Sequence, residues 1–275
     1  MRVLEPASGV LAFYDGRIDG VRLHSAEPNW LDDGGFTLGI ASFAIVDGGE
    51  ALVYDTHVSV ERGRWIRGQL KGARITVVLS HWHTDHIAGT EAFSDCEVLA
   101  GPLTAELLGQ QREAIEAATP PVRPLVLPTG RVPATLEVGA TIVQALAFDI
   151  HAADHTLLWL PERRILLAAD AVEDPITFVA EPDRIGAHLR ELDRLQALEP
   201  KVILPAHGDP DVIAAGGYGV GIIEATRIYL TALLAGDRRP LQEILRGPLR
   251  NGWIHPHPAY DAVHEENLKA VGSAS

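Results

Sequence analysis

Cysteine is almost missing from this chain of 275 residues: Cys96 stands alone. No internal disulfide can form, and a lone thiol points to a reducing compartment. Long apolar runs are missing too, since none reaches the ~18 residues of a membrane span. The opening Met1-Arg2-Val3-Leu4-Glu5-Pro6 puts an acid and a proline where a signal peptide needs an apolar stretch. The expectation is a cytoplasmic protein with no membrane partner. Positive charge is scarce, with 23 Lys and Arg against 37 Asp and Glu and a formal net charge of −14. Such a field repels phosphate backbones and anionic headgroups, so a small molecule is the expected partner and nucleic acid is not. Neither a short fixed repeat nor a low-complexity linker interrupts the sequence.

What remains is globular in kind, 47% hydrophobic and 22% charged. Turn residues divide the first third into short strands: Val10 to Tyr14, Ile18 to Leu23, and a hairpin of Ile40 to Val46 and Ala51 to Tyr54 joined by Asp47-Gly48-Gly49. The polar stretch Glu27 to Gly35 reads as an exposed loop. A helix is expected over Val58 to Leu70, a buried strand over Ile75 to Leu79, a strand over Glu97 to Ala100 and a helix over Leu103 to Ala118. Further strands follow at Leu125 to Leu127, Thr135 to Val138, Ile142 to Phe148, Thr156 to Leu160, Ile165 to Ala169 and Val202 to Leu204. Helices are expected over Asp183 to Leu198, Gly221 to Leu234 and Ala259 to Val271. Two sheets with outer helices make one domain over 1–275, with 236–275 as a C-terminal helical extension. The faces of the terminal helices leave a homodimer open.

Twelve histidines are many for this length, and their clustering carries the functional reading. His81-Trp82-His83-Thr84-Asp85-His86 follows the buried strand Ile75 to Leu79. Three imidazoles and a carboxylate in six residues are ligand types for zinc and similar divalent ions. One hexapeptide cannot surround an ion, so further ligands must come from other strand ends. His151, Asp170 and His207 each follow a strand.

These residues resemble the metallo-β-lactamase superfamily of metal-dependent hydrolases. The resemblance rests on His-x-His-x-Asp-His at 81–86, His-x-x-x-His-Thr at 151–156, Asp170 ending Ile-Leu-Leu-Ala-Ala-Asp, and Pro205-Ala206-His207-Gly208, and covers roughly residues 36–235. It implies an α+β fold, a four-layer αββα sandwich. It also implies that His81, His83 and His151 bind one metal, that Asp85, His86 and His207 bind a second, and that Asp170 bridges them. Asp55 resembles an acid that supports the ligands from behind, with His57 where the family more often has glycine. His155 looks able to orient a ligand. His24, His188, His255, His257 and His264 read as surface or packing residues, and Cys96 as an inert core residue on a strand.

Two divalent ions, zinc first with iron or manganese accepting the same donors, would hold a bridging hydroxide that attacks a small carbonyl substrate. Asp85 would aim the attacking oxygen and take its proton. An ester, lactone or thioester is the expected substrate. The alternatives are a glyoxalase II-like thioesterase, for which Arg238-Arg239 gives a weak basic cluster, and a mononuclear-iron persulfide dioxygenase-like oxidoreductase. Penicillin cleavage, phosphodiester cleavage and a non-catalytic scaffold are disfavoured: Asp170 stands where true β-lactamases generally have Cys or Ser, and scaffolds typically lose ligands. Trp30, Phe36, Ile176, Phe178 and Tyr218 are candidate pocket residues.

Overall fold

A computed structural model describes residues 1–273. Seven strands form the first sheet: β1 (Arg2–Ala7), β2 (Val10–Asp15), β3 (Ile40–Asp47), β4 (Glu50–Tyr54), β5 (Arg74–Leu79), β6 (Glu97–Ala100) and β7 (Gly130–Arg131), paired in that order. It is antiparallel from β1 to β4 and parallel from β4 to β7. Five form the second: β8 (Thr135–Val138), β9 (Thr141–Ile150), β10 (Ala152–Leu160), β11 (Ile165–Ala169) and β12 (Val202–Pro205), in the spatial order β12-β11-β10-β9-β8.

Side chains of a strand alternate between faces, and in the first sheet both faces are covered. Tyr14, Phe43, Leu52, Tyr54 and Val78 point to the second sheet and share its core. Their neighbours Phe13, Ala44, Val53, Val77 and Leu79 join a separate core with Ile66 and Leu108, under the helices Val60–Gln69 and Pro102–Gln110. Burial on both faces explains why these segments read as unbroken apolar runs. Helices Ile185–Ala197 and Gly221–Leu234 cover the far side of the second sheet, the former against β9. The layers are therefore helix, sheet, sheet, helix, the α+β sandwich expected.

Several local expectations are corrected. Ile18 to Leu23 is not a strand, because Arg17 turns back to Phe36 and Leu38 through its backbone and guanidinium and leaves Ile18 and Val21 exposed without a pairing neighbour. β1 was hidden by Glu5 and Pro6, which an edge strand tolerates. Leu125 to Leu127 is irregular, with Leu125 packed into the outer core and the sheet edge taken by β7 instead. The expected helix over Leu103 to Ala118 is two, Pro102–Gln110 and Arg112–Glu116. Cys96 lies just before β6 and is half-buried rather than a core strand residue. Glu27 to Gly35 is not merely an exposed loop, since Trp30–Phe36 forms a wide helical turn with Leu31, Asp32, Gly35 and Phe36 buried. Asp32 staples it, accepting from the backbone N–H groups of Leu23, His24 and Ser25 and from Asn29 Nδ2. Within 236–273 lie helices Leu241–Ile244, Arg246–Arg250 and Ala259–Ser273; residues 274–275 of the expected extension lie outside the described ones.

One close approach braces the strand ends that carry the chemistry. Thr56 donates from its backbone N–H to the His86 carbonyl at 2.7 Å, and Gly89 sits so near that a Cβ there would lie 2.0 Å from the Thr56 carbonyl oxygen. Gly89→Ala must push this turn apart, so it is expected to destabilise the fold by about 1–3 kcal/mol or more, the range of overpacking. Urea unfolding checks this, and an unchanged midpoint would contradict it.

Candidate metal centre

Four strand ends converge at one edge of the two sheets. After β5, His81 and His83 alternate along an extended segment and face the same way, and the single turn Thr84–Ile87 then swings Asp85 and His86 inward. His151 occupies the corner between β9 and β10, Asp170 follows β11, and His207 follows β12. Non-glycine residues at these ends take left-handed backbone angles: Asp55 at φ +66°, His57 at +71°, His151 at +61° and Ala169 at +42°. Such strain costs of order 1–3 kcal/mol per residue and persists where the surroundings over-determine it.

The hydrogen bonds behind the imidazoles decide which ring nitrogen faces inward. Ser80 Oγ donates its one proton to Asp55 Oδ2 at 2.7 Å, so at 2.9 Å from His81 Nδ1 it must accept. His81 is then protonated on Nδ1, and its Nε2 lone pair points into the site. His86 Nδ1 donates to Asp55 Oδ2 at 2.8 Å, and His207 Nδ1 donates to the Gly39 carbonyl at 2.7 Å. His151 Nδ1 lies 3.3 Å from Thr177 Oγ1, whose proton is directed to backbone carbonyls. For His81 and His151, Nε2 is left as an inward acceptor, while Nε2 of His86 and His207 faces inward against the carboxylates of Asp170 and Asp85.

The donor atoms fall into two groups, His81, His83, His151, Asp170 and Asp85, His86, Asp170, His207, each able to hold a metal ion, with the ligand atoms of a group within 4.8 Å of one another. His151 Nε2 is 3.1 Å from His83 Nδ1 and 3.5 Å from Asp170 Oδ2. His86 Nε2 is 3.1 Å from Asp170 Oδ2, and His207 Nε2 is 3.2 Å from Asp85 Oδ2. A tetrahedral ion with bonds of ~2.0–2.1 Å sets its ligands roughly 3.3 Å apart, close to these separations. His81 Nε2 and Asp170 Oδ1 are buried with no hydrogen-bond partner, and acceptors facing acceptors are what a cation resolves. The donor set fits divalent ions.

Electrostatics divides the groups likewise. Burial, reinforced by neighbouring imidazoles, holds His81 well below the usual histidine range, and burial outweighs Asp170 in holding His151 well below it. Burial also lowers His83. These three keep their lone pairs at neutral pH. Burial alone would also lower His207, but Asp170 and Asp85 override it and raise the imidazole to about 9; Asp170 and Asp85 likewise lift His86 well above its ordinary value. Burial would raise Asp85 and Asp170, yet His86 and His207 hold both carboxyls down as carboxylates.

Asp55 bolts the ends of β4 and β5 together, accepting from Ser80 N–H at 2.7 Å besides its bonds to Ser80 Oγ and His86. His155 hydrogen-bonds no ligand; its Nδ1 donates to the Ile150 carbonyl and its ring packs 4.7 Å from that of His81. His57 is fully buried with both ring nitrogens unpartnered. A cavity of about 770 Å³ opens onto the two groups, and Trp30 and Phe178 line it. Phe36, Ile176 and Tyr218 do not. Phe36 packs with Ile40, Val58 and Ala206 beneath the site, Ile176 is fully buried in the main core, and Tyr218 spends its hydroxyl on Asp174 and the Asp209 N–H. Proximity in sequence to a ligand does not set the direction in which a turn aims a side chain. Arg238 and Arg239 do not line the cavity, and Arg239 is paired with Asp237.

Sequence reasoning missed Ser80, Gly39, Thr177 and above all His188. His188 Nε2 donates to the Ala171 carbonyl at 3.0 Å while its Nδ1 accepts from the His151 N–H at 3.3 Å, so one neutral ring ties together the backbones of two ligand-bearing turns. A signal was present: His188 interrupts the apolar stripe of Ile185, Leu192 and Leu195. Burial pushes His188, like His57, down to about 4. Because the folded value lies below the unfolded ~6.5, their contribution is complete above pH 6.5 and is lost as pH falls through about 4. His188→Leu is expected to cost roughly 1–3 kcal/mol from the two unpaired backbone groups and to flatten that acid loss, read from urea unfolding across this pH range.

The Metallo-beta-lactamase superfamily model matches residues 36–207. The chain is 29% identical to the beta-lactamase-like protein 2 homolog of Caenorhabditis elegans, over 48% of this chain and 41% of that one. It is 23% identical to the linear primary-alkylsulfatase of a Pseudomonas species, over 58% of this chain and 39% of that one. It thus spans about two-fifths of the length of these curated relatives. Among solved structures, the metallo-beta-lactamase from Pontibacter korlensis superposes with a TM-score of 0.62 at 19% identity, over 84% of this chain and 98% of that one, a likeness of fold. The match over most of the chain, carried on the same strand ends that gather the histidines, makes this protein a member of the metallo-beta-lactamase superfamily.

Proposed function

We propose that this chain is a dinuclear metal-dependent hydrolase of a small carbonyl substrate, an ester, lactone or thioester. The observation that carries the reading is the pair of complete donor groups sharing Asp170 at the floor of the cavity. His81, His83 and His151 would hold one ion, Asp85, His86 and His207 the other, and Asp170 both, with zinc suited to the nitrogen and oxygen donors. Ions bound there would lower the pKa of a water towards ~7 and polarise a carbonyl oxygen.

The chain's own groups do the rest. Asp85 is held as a carboxylate by His86 and His207 and has the most accessible of the ligand carboxyls, 13% against 4% for Asp170. Its free oxygen is the atom that would take the proton of the attacking water. Asp55 and Ser80 keep His81 and His86 in one tautomer, and the Gly39 carbonyl does the same for His207. Trp30 and Trp82 wall the cavity and limit solvent beside the donor groups.

Two alternatives are disfavoured on particular grounds. A mononuclear-iron dioxygenase would leave the second group without a task, although it is complete. A glyoxalase II-like thioesterase needs cations for the carboxylates of glutathione, and Arg238 and Arg239 lie off the cavity. A second reading, cleavage of an alkyl sulfate ester, is favoured by the alkylsulfatase relative together with the apolar side of the cavity. We further propose a cytoplasmic location, from the charge balance and the lone cysteine; no helix among the described residues is long and apolar enough to cross a membrane.

Elemental analysis with a panel of lactones, esters, thioesters, alkyl sulfates, phosphodiesters and β-lactams tests the reading. About two divalent ions per chain and chelator-sensitive cleavage of a carbonyl substrate are expected. Asp85→Asn should lower kcat by roughly 10²–10⁴-fold with the fold intact by circular dichroism, the range of general-base catalysis. Turnover that survives chelation, or oxygen uptake with one iron per chain, would overturn it.

A further inference from the structure

We propose that the cavity beside the donor groups selects a substrate with an uncharged, apolar body, an alkyl or aryl chain, and that the helix Ala259–Ser273 is the selective wall. This rests on the hydrolase reading for the reacting end of the substrate only. The chemistry of the body is set by a different part of the chain. The ligands and their supports lie within residues 36–207, whereas much of the outer cavity wall comes from the segments before and after it.

Trp30, Trp82 and Phe178 line the cavity together with Ala259, Ala262 and Val263 of the terminal helix. The spacing 259, 262, 263, 266 is one face of a helix, so a single stripe of the terminal helix looks onto the cavity and ends on Glu266. Both sets of residues are held in place. Asn267, fully buried one turn beyond Val263 on the flank of that stripe, accepts from the Val179 N–H at 2.8 Å and donates to the Thr177 carbonyl at 2.9 Å, which locks the helix to the turn carrying Phe178. Trp30 Nε1 donates to the Pro120 carbonyl at 2.7 Å, which leaves the indole no free polar group to offer.

The charges in the wall decide what the body cannot carry. Arg22 is the one Lys or Arg among the described lining residues, and four of its five N–H groups are spent: on Asp33 at 2.7 and 3.1 Å, on the Ser25 carbonyl at 2.6 Å and on the Glu27 carbonyl at 2.9 Å. Asp33 and Glu266 add carboxylates. A carboxylate or phosphate remote from the reacting bond would meet carboxylates and a guanidinium already largely engaged. A cavity of about 770 Å³ holds a medium-length chain, within the ~300–1,000 Å³ of small-molecule sites.

Trp30 and Trp82 report occupancy without any turnover. Full-length protein as purified is titrated with butanol, hexanol, octanol and decanol while tryptophan emission is followed, and with decanediol, the same chain ending in a second hydroxyl. Affinity is expected to rise roughly three- to fourfold per added methylene until the cavity is full. Decanediol, which must bring a second hydroxyl against the apolar wall, should bind about tenfold more weakly than decanol. Ala262 is exposed on the cavity face, so Ala262→Phe fills space without displacing the core; it should weaken decanol about tenfold and leave butanol within about twofold. Affinity independent of chain length, equal binding of the diol, or an Ala262→Phe variant with wild-type decanol binding and a native circular dichroism spectrum would each overturn the proposal. Chain-length-dependent binding in a protein that cleaves nothing on the substrate panel would instead leave this pocket standing and remove the hydrolase reading.

Discussion

The carboxylate of Asp170 is the point on which the site closes. Its Oδ2 lies 3.7 Å from His81, 3.1 Å from His86, 3.5 Å from His151 and 3.6 Å from His207, always at the imidazole Nε2. One oxygen within reach of four rings from three different strand ends is held there by its place just after β11, between β12 and β10 of the second sheet. Move that strand end by a side-chain length and neither donor group is complete. The rest of the architecture can be read as the means of keeping it still: parallel β11 and β12, the Ala206 N–H donating to the Ala169 carbonyl, and the Asp174 N–H donating to the His207 carbonyl.

Around this carboxylate the supports are mostly neutral, and half of them are backbone. Gly39, Ile150 and Ala171 contribute carbonyls, Ser80 and Thr177 hydroxyls, and only Asp55 a charge. Neutral supports fix tautomers without adding charge to a place that already holds two carboxylates and five imidazoles. His188 extends this logic by one step. It touches no ligand side chain, yet its two ring nitrogens engage the backbones at His151 and Ala171, so it sets where those turns stand rather than how a ring is oriented.

The outer cavity follows different rules from its floor. The floor comes from strand ends within the superfamily region, whereas the terminal helix and the Asp32-stapled turn supply walls of another composition. Much of the outer wall is thereby carried by stretches of chain outside the superfamily region, with Trp82 and Phe178 added from within it. The two walls meet the floor through Trp30, anchored on Pro120, and through Asn267, anchored on the turn after Asp170.

By itself the sequence determined the layers, most strand positions and the identity of the candidate ligands, because hydrophobic period and ligand chemistry are local properties. Two strands covered on both faces read as apolar runs, and three imidazoles with a carboxylate in six residues have few other uses. Tertiary structure alone decided the direction of each side chain. Phe36 and Tyr218 flank the site in sequence and point away from it, while Ala262, more than fifty residues beyond His207, faces it. His188 looked like a packing residue until a helix laid it against two turns, and Ile18 to Leu23 has strand composition but no edge to pair with. Orientation and pairing depend on which distant segments share a boundary, and that is fixed only once the two sheets close on their common core.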